Sequence, residues 1–168
     1  SHGKEIKMTR EIKDGKLYFD GCDTTQLARE YGTPLYVMSE TDIIERFSQL
    51  RKEFTDKYPK TRVAYACKAF CNMAMLKLCE REGMCIDVVS GGELYTAIKA
   101  GFPAERIEFN GNNKLLEELS AAIDYGIGRI IIDGIGELEL IEKICREKNK
   151  KVKVLYRITP GIKADSHD

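Results

Sequence analysis

From about residue 62 onward, one pattern repeats along the chain: a short unbroken apolar run, a turn, then a stretch with helical periodicity. The runs fall at residues 62–67, 85–89, 106–109, 129–133 and 152–158, so a new strand is expected about every 20–25 residues. They are continuous and rich in β-branched residues and do not alternate with polar ones. Such strands need cover on both faces, which a parallel α/β array provides. Between the runs, Asn72 is placed to cap a helix carrying Met75, Leu76 and Cys79. Ser90-Gly91-Gly92-Glu93 opens a helix that ends at Gly101, Asn113 is placed to cap residues 115–125 ahead of Gly126, and a helix over 137–148 follows the fourth run.

Two architectures compete for this pattern. An open doubly wound sheet closes near this length, whereas a (β/α)8 TIM barrel takes about 250 residues and eight strands. The doubly wound option lacks its G-x-G-x-x-G loop: Gly126-Ile127-Gly128 precedes a strand, and Gly134-Ile135-Gly136 has no third glycine. Both glycine pairs read as turn residues, and no Walker A string is present. As a barrel, the chain stops shortly after its fifth strand.

The stretch before residue 62 is organised differently. Lys16–Phe19 reads as a short strand. Asp23-Thr24-Thr25-Gln26 is a capping-box pattern opening a helix through Tyr31, which Gly32 and Pro34 close. Residues 35–38 read as the next strand, and Ser39-Glu40-Thr41-Asp42 as a second cap before a helix with Ile43, Ile44, Phe47, Leu50 and Phe54 on one face.

Charge and cysteine usage exclude several classes. The 27 basic and 27 acidic residues are interspersed, which steers toward neither nucleic acid nor an anionic membrane. No apolar stretch has the length of a bilayer span, and no secretory leader is present, so a cytoplasmic protein is expected. Cysteines stand at 22, 67, 71, 79, 85 and 145, without a C-x-x-C pair or zinc spacing. The expectation is reduced thiols and no metal site.

In a parallel sheet or barrel, chemistry gathers at the carboxyl ends of the strands. The polar residues falling there are Lys68, Asp87, the amides Asn110, Asn112 and Asn113, then Asp133 and Arg157. Together they suit a charged, electron-withdrawing cofactor. A lysine at a strand end can be partly desolvated and form a Schiff base with an aldehyde, or it can carry its charge to the rim on an apolar stem. Asp87 interrupts an apolar strand, so its carboxylate needs a partner or solvent, and Lys68 on the neighbouring strand is a natural one. Glu93, three residues after Ser90, is explained by a capping box and is also placed to serve the site.

The segment Tyr65-Ala66-Cys67-Lys68-Ala69 resembles the lysine segment of the fold-type III pyridoxal-phosphate-dependent decarboxylases. Asp87-Val88-Val89-Ser90-Gly91-Gly92-Glu93-Leu94, Arg106 to Lys114 and Arg157 to Asp168 are similar to further segments of that family, in the same order. The resemblance runs from about Tyr18 to the last residue. It implies a partial (β/α)8 barrel of about five strands over 35–168, with residues 1–34 leading in from a second, mostly β domain. It implies pyridoxal 5'-phosphate as cofactor, held through Lys68, with Asp87 and Glu93 beside that lysine as catalytic residues and Asp87 and Arg157 contacting the cofactor. Family members differ where this chain has Asn110, and His167 falls in a family motif without an assigned step. The implied reaction is decarboxylation of a small amino acid by a homodimer, in the lysine-forming branch of the family. Decarboxylation of another basic amino acid or of a carboxylated polyamine is an alternative, as is a pyridoxal-phosphate-binding barrel without that activity. In the resembling enzymes the phosphate loop and the residues gripping substrate lie later in the chain. The chain is therefore expected to be inactive alone and to self-associate.

Overall fold

The computed structural model describes residues 9–161. Two compact units divide the chain, Ser1–Pro59 and Lys60–Asp168. His167 and the end of the Arg157-to-Asp168 segment lie outside the described residues.

In the first unit, strands β1 (Arg10–Lys13), β2 (Lys16–Phe19) and β3 (Cys22–Asp23) form an antiparallel meander. Both turns are Asp-Gly pairs with left-handed backbone: φ is 50° at Asp14 and 71° at Gly15, then 48° at Asp20 and 82° at Gly21. That conformation matches the twist of two-residue hairpins and explains the short connections. Asp23 caps α1 (Thr24–Tyr31), accepting the Thr25 amide at 2.8 Å. Ser39 caps α2 (Glu40–Leu50), accepting the Asp42 amide at 3.1 Å. Asp20 binds the start of α2, accepting the Ser39 and Thr41 hydroxyls at 2.8 Å each. The strand expected at 35–38 is not formed. Those residues have no ladder among the described residues, and Leu35, Tyr36, Val37 and Met38 are all exposed. Their pattern is that of a strand, but a strand also needs a neighbour's backbone groups.

The second unit carries the repeating pattern. Its elements are β4 (Ala64–Ala66), α3 (Met73–Arg81), β5 (Cys85–Val88), α4 (Gly91–Lys99), β6 (Ile107–Phe109), α5 (Leu116–Tyr125), β7 (Arg129–Ile132), α6 (Ile135–Lys148) and β8 (Val154–Tyr156). The five strands pair in chain order, each parallel to the one before. A doubly wound sheet reverses its order at a switch point. Without that reversal every crossover turns the same way and every helix falls on one face, which makes this sheet an arc of a (β/α)8 barrel.

Ile86, Val88, Ile107, Phe109, Ile130 and Ile132 line the helix-side face and are all buried. Against them pack Leu76 and Cys79 of α3, Leu94 and Ala97 of α4, Leu119 and Ala122 of α5, and Ile141 and Ile144 of α6, also buried. The opposite face carries Ala66, Asp87, Glu108 and Arg129 side by side in register, all only half-buried. The described cysteines are free thiols, as expected, and burial pushes the Cys79 thiol up to about 12. Among the described residues no group of side chains could hold a metal ion, and no helix is long and apolar enough to cross a membrane.

The first glycine pair does turn work, whereas in the second Gly134 is the cap of α6 and Gly136 lies in its first turn, so the helix begins two residues earlier than expected. Gly126 ends α5 in the left-handed conformation, φ 79°. Gly128 donates its N–H to Ala104 O at 2.8 Å and Ile107 O at 3.0 Å, so close to the chain entering β6 that a Cβ would collide with the Glu105 carbonyl. Gly128→Ala is therefore expected to destabilise the second unit by about 1–3 kcal/mol, the usual cost of overpacking. Urea unfolding checks this, with Gly136→Ala, which meets nothing within 4 Å, as the tolerated control.

Candidate functional site

The carboxyl ends of β4, β5 and β6 bring one group of predicted residues together. β4 ends in a 3-10 turn, Cys67–Ala69, that leaves Lys68 exposed at the rim. Asp87 sits within β5 opposite Ala66 and Glu108. Its Oδ1 is buried and has no hydrogen-bond partner. Burial pushes the Asp87 carboxyl above its ordinary range; Glu108 and Glu93 push the same way, while the nearby Asn110 amide and the charge of Lys68 oppose them. Lys68 is near enough to act on Asp87 but closes no ion pair with it, contrary to the partnership expected from their neighbouring strands.

Glu93 meets its capping expectation in modified form. Its N–H donates to Ser90 Oγ at 3.2 Å, while its Oε2 accepts the N–H of Val89, one residue before the cap, at 2.8 Å. The same carboxylate bears on Asp87 and on the Cys67 and Cys71 thiols, which places it in the Lys68–Asp87 cluster. Asn110 belongs to that cluster through Asp87. Arg157 stands on the same rim but further along, beyond β6 and β7, where Nη1 lies 3.5 Å from Asp133 Oδ1.

Asn113 is not the cap of α5. The helix starts after Leu115, whose N–H donates to Glu118 Oε2 at 2.8 Å. Glu118 Oε1 also accepts the Gly91 N–H at 2.6 Å, so one carboxylate binds the starts of α4 and α5. A Cβ on Gly91 would lie 2.7 Å from that oxygen, so a larger residue there would push the Glu118 carboxylate aside. Asn112 and Asn113 are exposed loop residues. Sequence reasoning missed Glu118, Glu137 and Lys114 at this rim. A signal existed for the two acids: each is the third residue of its helix, as Glu93 is, where a carboxylate reaches back to free amides.

The arrangement therefore offers an exposed primary amine, an acid with an unspent buried oxygen, a second acid held by backbone, and an ion-paired arginine along one strand-end rim. Chemically, the amine can condense with an aldehyde and the acids favour a cationic group.

Residues 40–168 match the family described as "Pyridoxal-dependent decarboxylase, pyridoxal binding domain". The chain is 50% identical over 160 residues to a diaminopimelate decarboxylase of Bacillus methanolicus, covering 95% of this chain and 37% of that protein. It is 49% identical to the Bacillus subtilis diaminopimelate decarboxylase, covering 95% of this chain and 36% of that one. Among solved structures it is similar to a diaminopimelate decarboxylase from M. jannaschii in complex with L-lysine, at 40% identity and a TM-score of 0.83, covering 93% of this chain and 37% of that one. The chain thus spans little more than a third of the length of these relatives.

The Asp87 environment has a signed consequence for stability. Its folded-state pKa is raised above the ordinary 3.8, so the folded chain holds that proton more tightly than the unfolded chain does. The corresponding stability is present at acid pH and is lost as pH rises from 3.8 through the folded value. Asp87→Asn should escape that loss. Urea midpoints are expected to show the variant gaining on the parent chain between pH 4 and pH 7. A variant losing stability to the same degree at both pH values would contradict this account of Asp87.

Proposed function

This chain belongs to the pyridoxal-dependent decarboxylase family, and from that premise we propose that the full-length protein decarboxylates meso-diaminopimelate to L-lysine and carbon dioxide. The single observation that carries the reading to particular residues is that the exposed Lys68 follows the strand beside the one carrying the buried, partnerless Asp87 Oδ1. These residues fit pyridoxal 5'-phosphate: the amine is a point of attachment for its aldehyde, and the orphaned carboxylate oxygen suits a cationic partner. When bound, the cofactor supplies an electron sink for the electron pair left as carbon dioxide departs.

Each residue then has a stated task. Lys68 Nζ would hold the cofactor through its aldehyde, being an exposed primary amine at the strand-end rim. Asp87 would face a positive group through Oδ1, where that charge would offset the burial and the neighbouring acids that raise its pKa. Glu93, fixed by the Val89 N–H, keeps the potential beside Lys68 negative and so favours a cationic ring. Arg157, held by Asp133, contributes a positive charge further along the rim for an anionic part of the ligand. Full-length protein in this reading is a cytoplasmic homodimer, with residues 1–34 leading in from a second, mostly β domain. L-lysine in the M. jannaschii complex supports lysine as product.

Borohydride reduction of the cofactor-loaded protein followed by peptide mass mapping should place the pyridoxyl group on Lys68. Reproducible labelling of Lys77 or Lys114 instead would refute the assignment. Lys68→Ala should abolish turnover, and a substrate screen should show carbon dioxide released from meso-diaminopimelate. Release from arginine or ornithine with none from diaminopimelate would sink the substrate while leaving the reaction class intact.

A further inference from the structure

We infer that Lys114 is a positioning residue for this site, setting the rim on which Asp87 and Arg157 stand. The inference rests on the functional reading above. The Lys114 side chain is 1% exposed, although it lies in the loop between β6 and α5. An ammonium has three donors, and all three are committed here: to Gly111 O at 2.8 Å, to Ile131 O at 2.7 Å and to Glu137 Oε1 at 2.6 Å. The acceptors come from three different places, namely the β6–α5 loop, the end of β7 and the first turn of α6.

Two short paths lead from this ammonium to the site. On one side, Gly111 donates its N–H to Asn110 Oδ1 at 2.9 Å, and the Asn110 N–H donates to Val88 O at 2.8 Å. Gly111 has φ 118°, and a Cβ there would stand 3.0 Å from Val89 O, so this loop lies against the end of β5. Asn110 follows β6 beside the end of β5, and its amide draws the Asp87 carboxyl down against burial and the neighbouring acids. On the other side, Glu137 Oε2 accepts the Asp133 N–H at 3.0 Å, and Asp133 pairs with Arg157.

A buried ammonium is costly, and an apolar side chain of similar volume often replaces a buried ion pair without loss of stability. What an apolar replacement cannot do is hold two carbonyls and a carboxylate at fixed mutual distance. Lys114 touches neither the cofactor nor substrate in this arrangement. Its effect passes through Asn110 to Asp87, and through Glu137 and Asp133 to Arg157.

The test uses full-length protein loaded with pyridoxal 5'-phosphate, reading cofactor dissociation and the pH dependence of the bound cofactor's absorbance. Lys114→Met should weaken cofactor binding about tenfold or more, as expected when positioned groups shift, and move the absorbance titration. Glu137→Gln should do the same to a smaller degree, and it carries the test if Lys114→Met does not fold. Lys148→Met removes a 2.7 Å ion pair to Asp124, where the carboxyl-terminal ends of α5 and α6 meet away from the rim. It should leave binding and titration unchanged whatever it does to stability. Folded Lys114→Met and Glu137→Gln that bind the cofactor as the parent protein does would overturn this inference alone. A parent protein that takes up no cofactor at Lys68 overturns the functional reading and this inference with it.

Discussion

Burial of one face of the β4–β8 sheet is the constraint on which the rest depends. Ile86, Val88, Ile107, Phe109, Ile130 and Ile132 occupy that face and are buried, each contributing roughly 1.5–3 kcal/mol relative to exposure. The face is covered only if each helix returns over the same side of the sheet. Every strand then runs the same way, and every loop that follows a strand lands on the same edge. The rim is a by-product of this packing, before any residue on it has a task. The other face is left for the row Ala66, Asp87, Glu108 and Arg129, in which the Glu108–Arg129 ion pair at 3.4 Å is itself only partly exposed.

Packing places the loops on one edge but does not fix them relative to one another. That second task falls to charged side chains. Glu93, Glu118 and Glu137 each stand at the third position of a crossover helix and each accept backbone N–H groups from the loop before it. Glu118 also reaches across to Gly91, and Lys114 joins the β6–α5 loop to β7 and α6. Carboxylates at helix starts are favoured there by the unpaired amides and the helix dipole. From the loop after β5 onward, the rim is thus a belt of charge-assisted hydrogen bonds that ties neighbouring loops together.

The alternation of strands and helices was legible because burial of a face imposes a period that appears in one dimension. The caps at Asp23, Ser39, Asn72 and Ser90 were legible because a cap acts within three residues of itself. Lys114 was not, since its acceptors at Ile131 and Glu137 lie 17 and 23 residues away and only the fold brings them to it. Asn113 misled for the same reason: a local candidate lost to Glu118, while the residue beside it was drawn inward. Residues 35–38 misled because strand pattern is local and strand pairing is not. At the site, the strand-end positions of Lys68, Asp87 and Arg157 could be read from pattern. The exposure of Lys68 and the separate pairing of Arg157 with Asp133 could not, since they depend on a 3-10 turn and a side-chain contact.

Lys114 and Asp87 show how the same physics separates scaffold from site. Both are ionisable groups drawn into the sheet's surroundings, and both lose water there. Lys114 recovers the loss completely, with each of its three donors matched to an acceptor within 2.8 Å. Asp87 does not: one oxygen is buried without a partner, and its nearest acids raise its pKa further. A fold able to satisfy a lysine from three separate segments is under no geometric obligation to leave a carboxylate wanting on the adjacent strand. Structural polar groups are mostly satisfied, so an unsatisfied one at a strand-end rim is a stability cost that the proposed cofactor would remove. In that reading the group meeting Oδ1 would carry positive charge and a hydrogen-bond donor and would sit beside an exposed amine. The belt that holds the rim and the acid that it leaves unsatisfied are complementary parts of one arrangement, in which rigidity around Asp87 keeps the deficit from being relieved by the protein's own atoms.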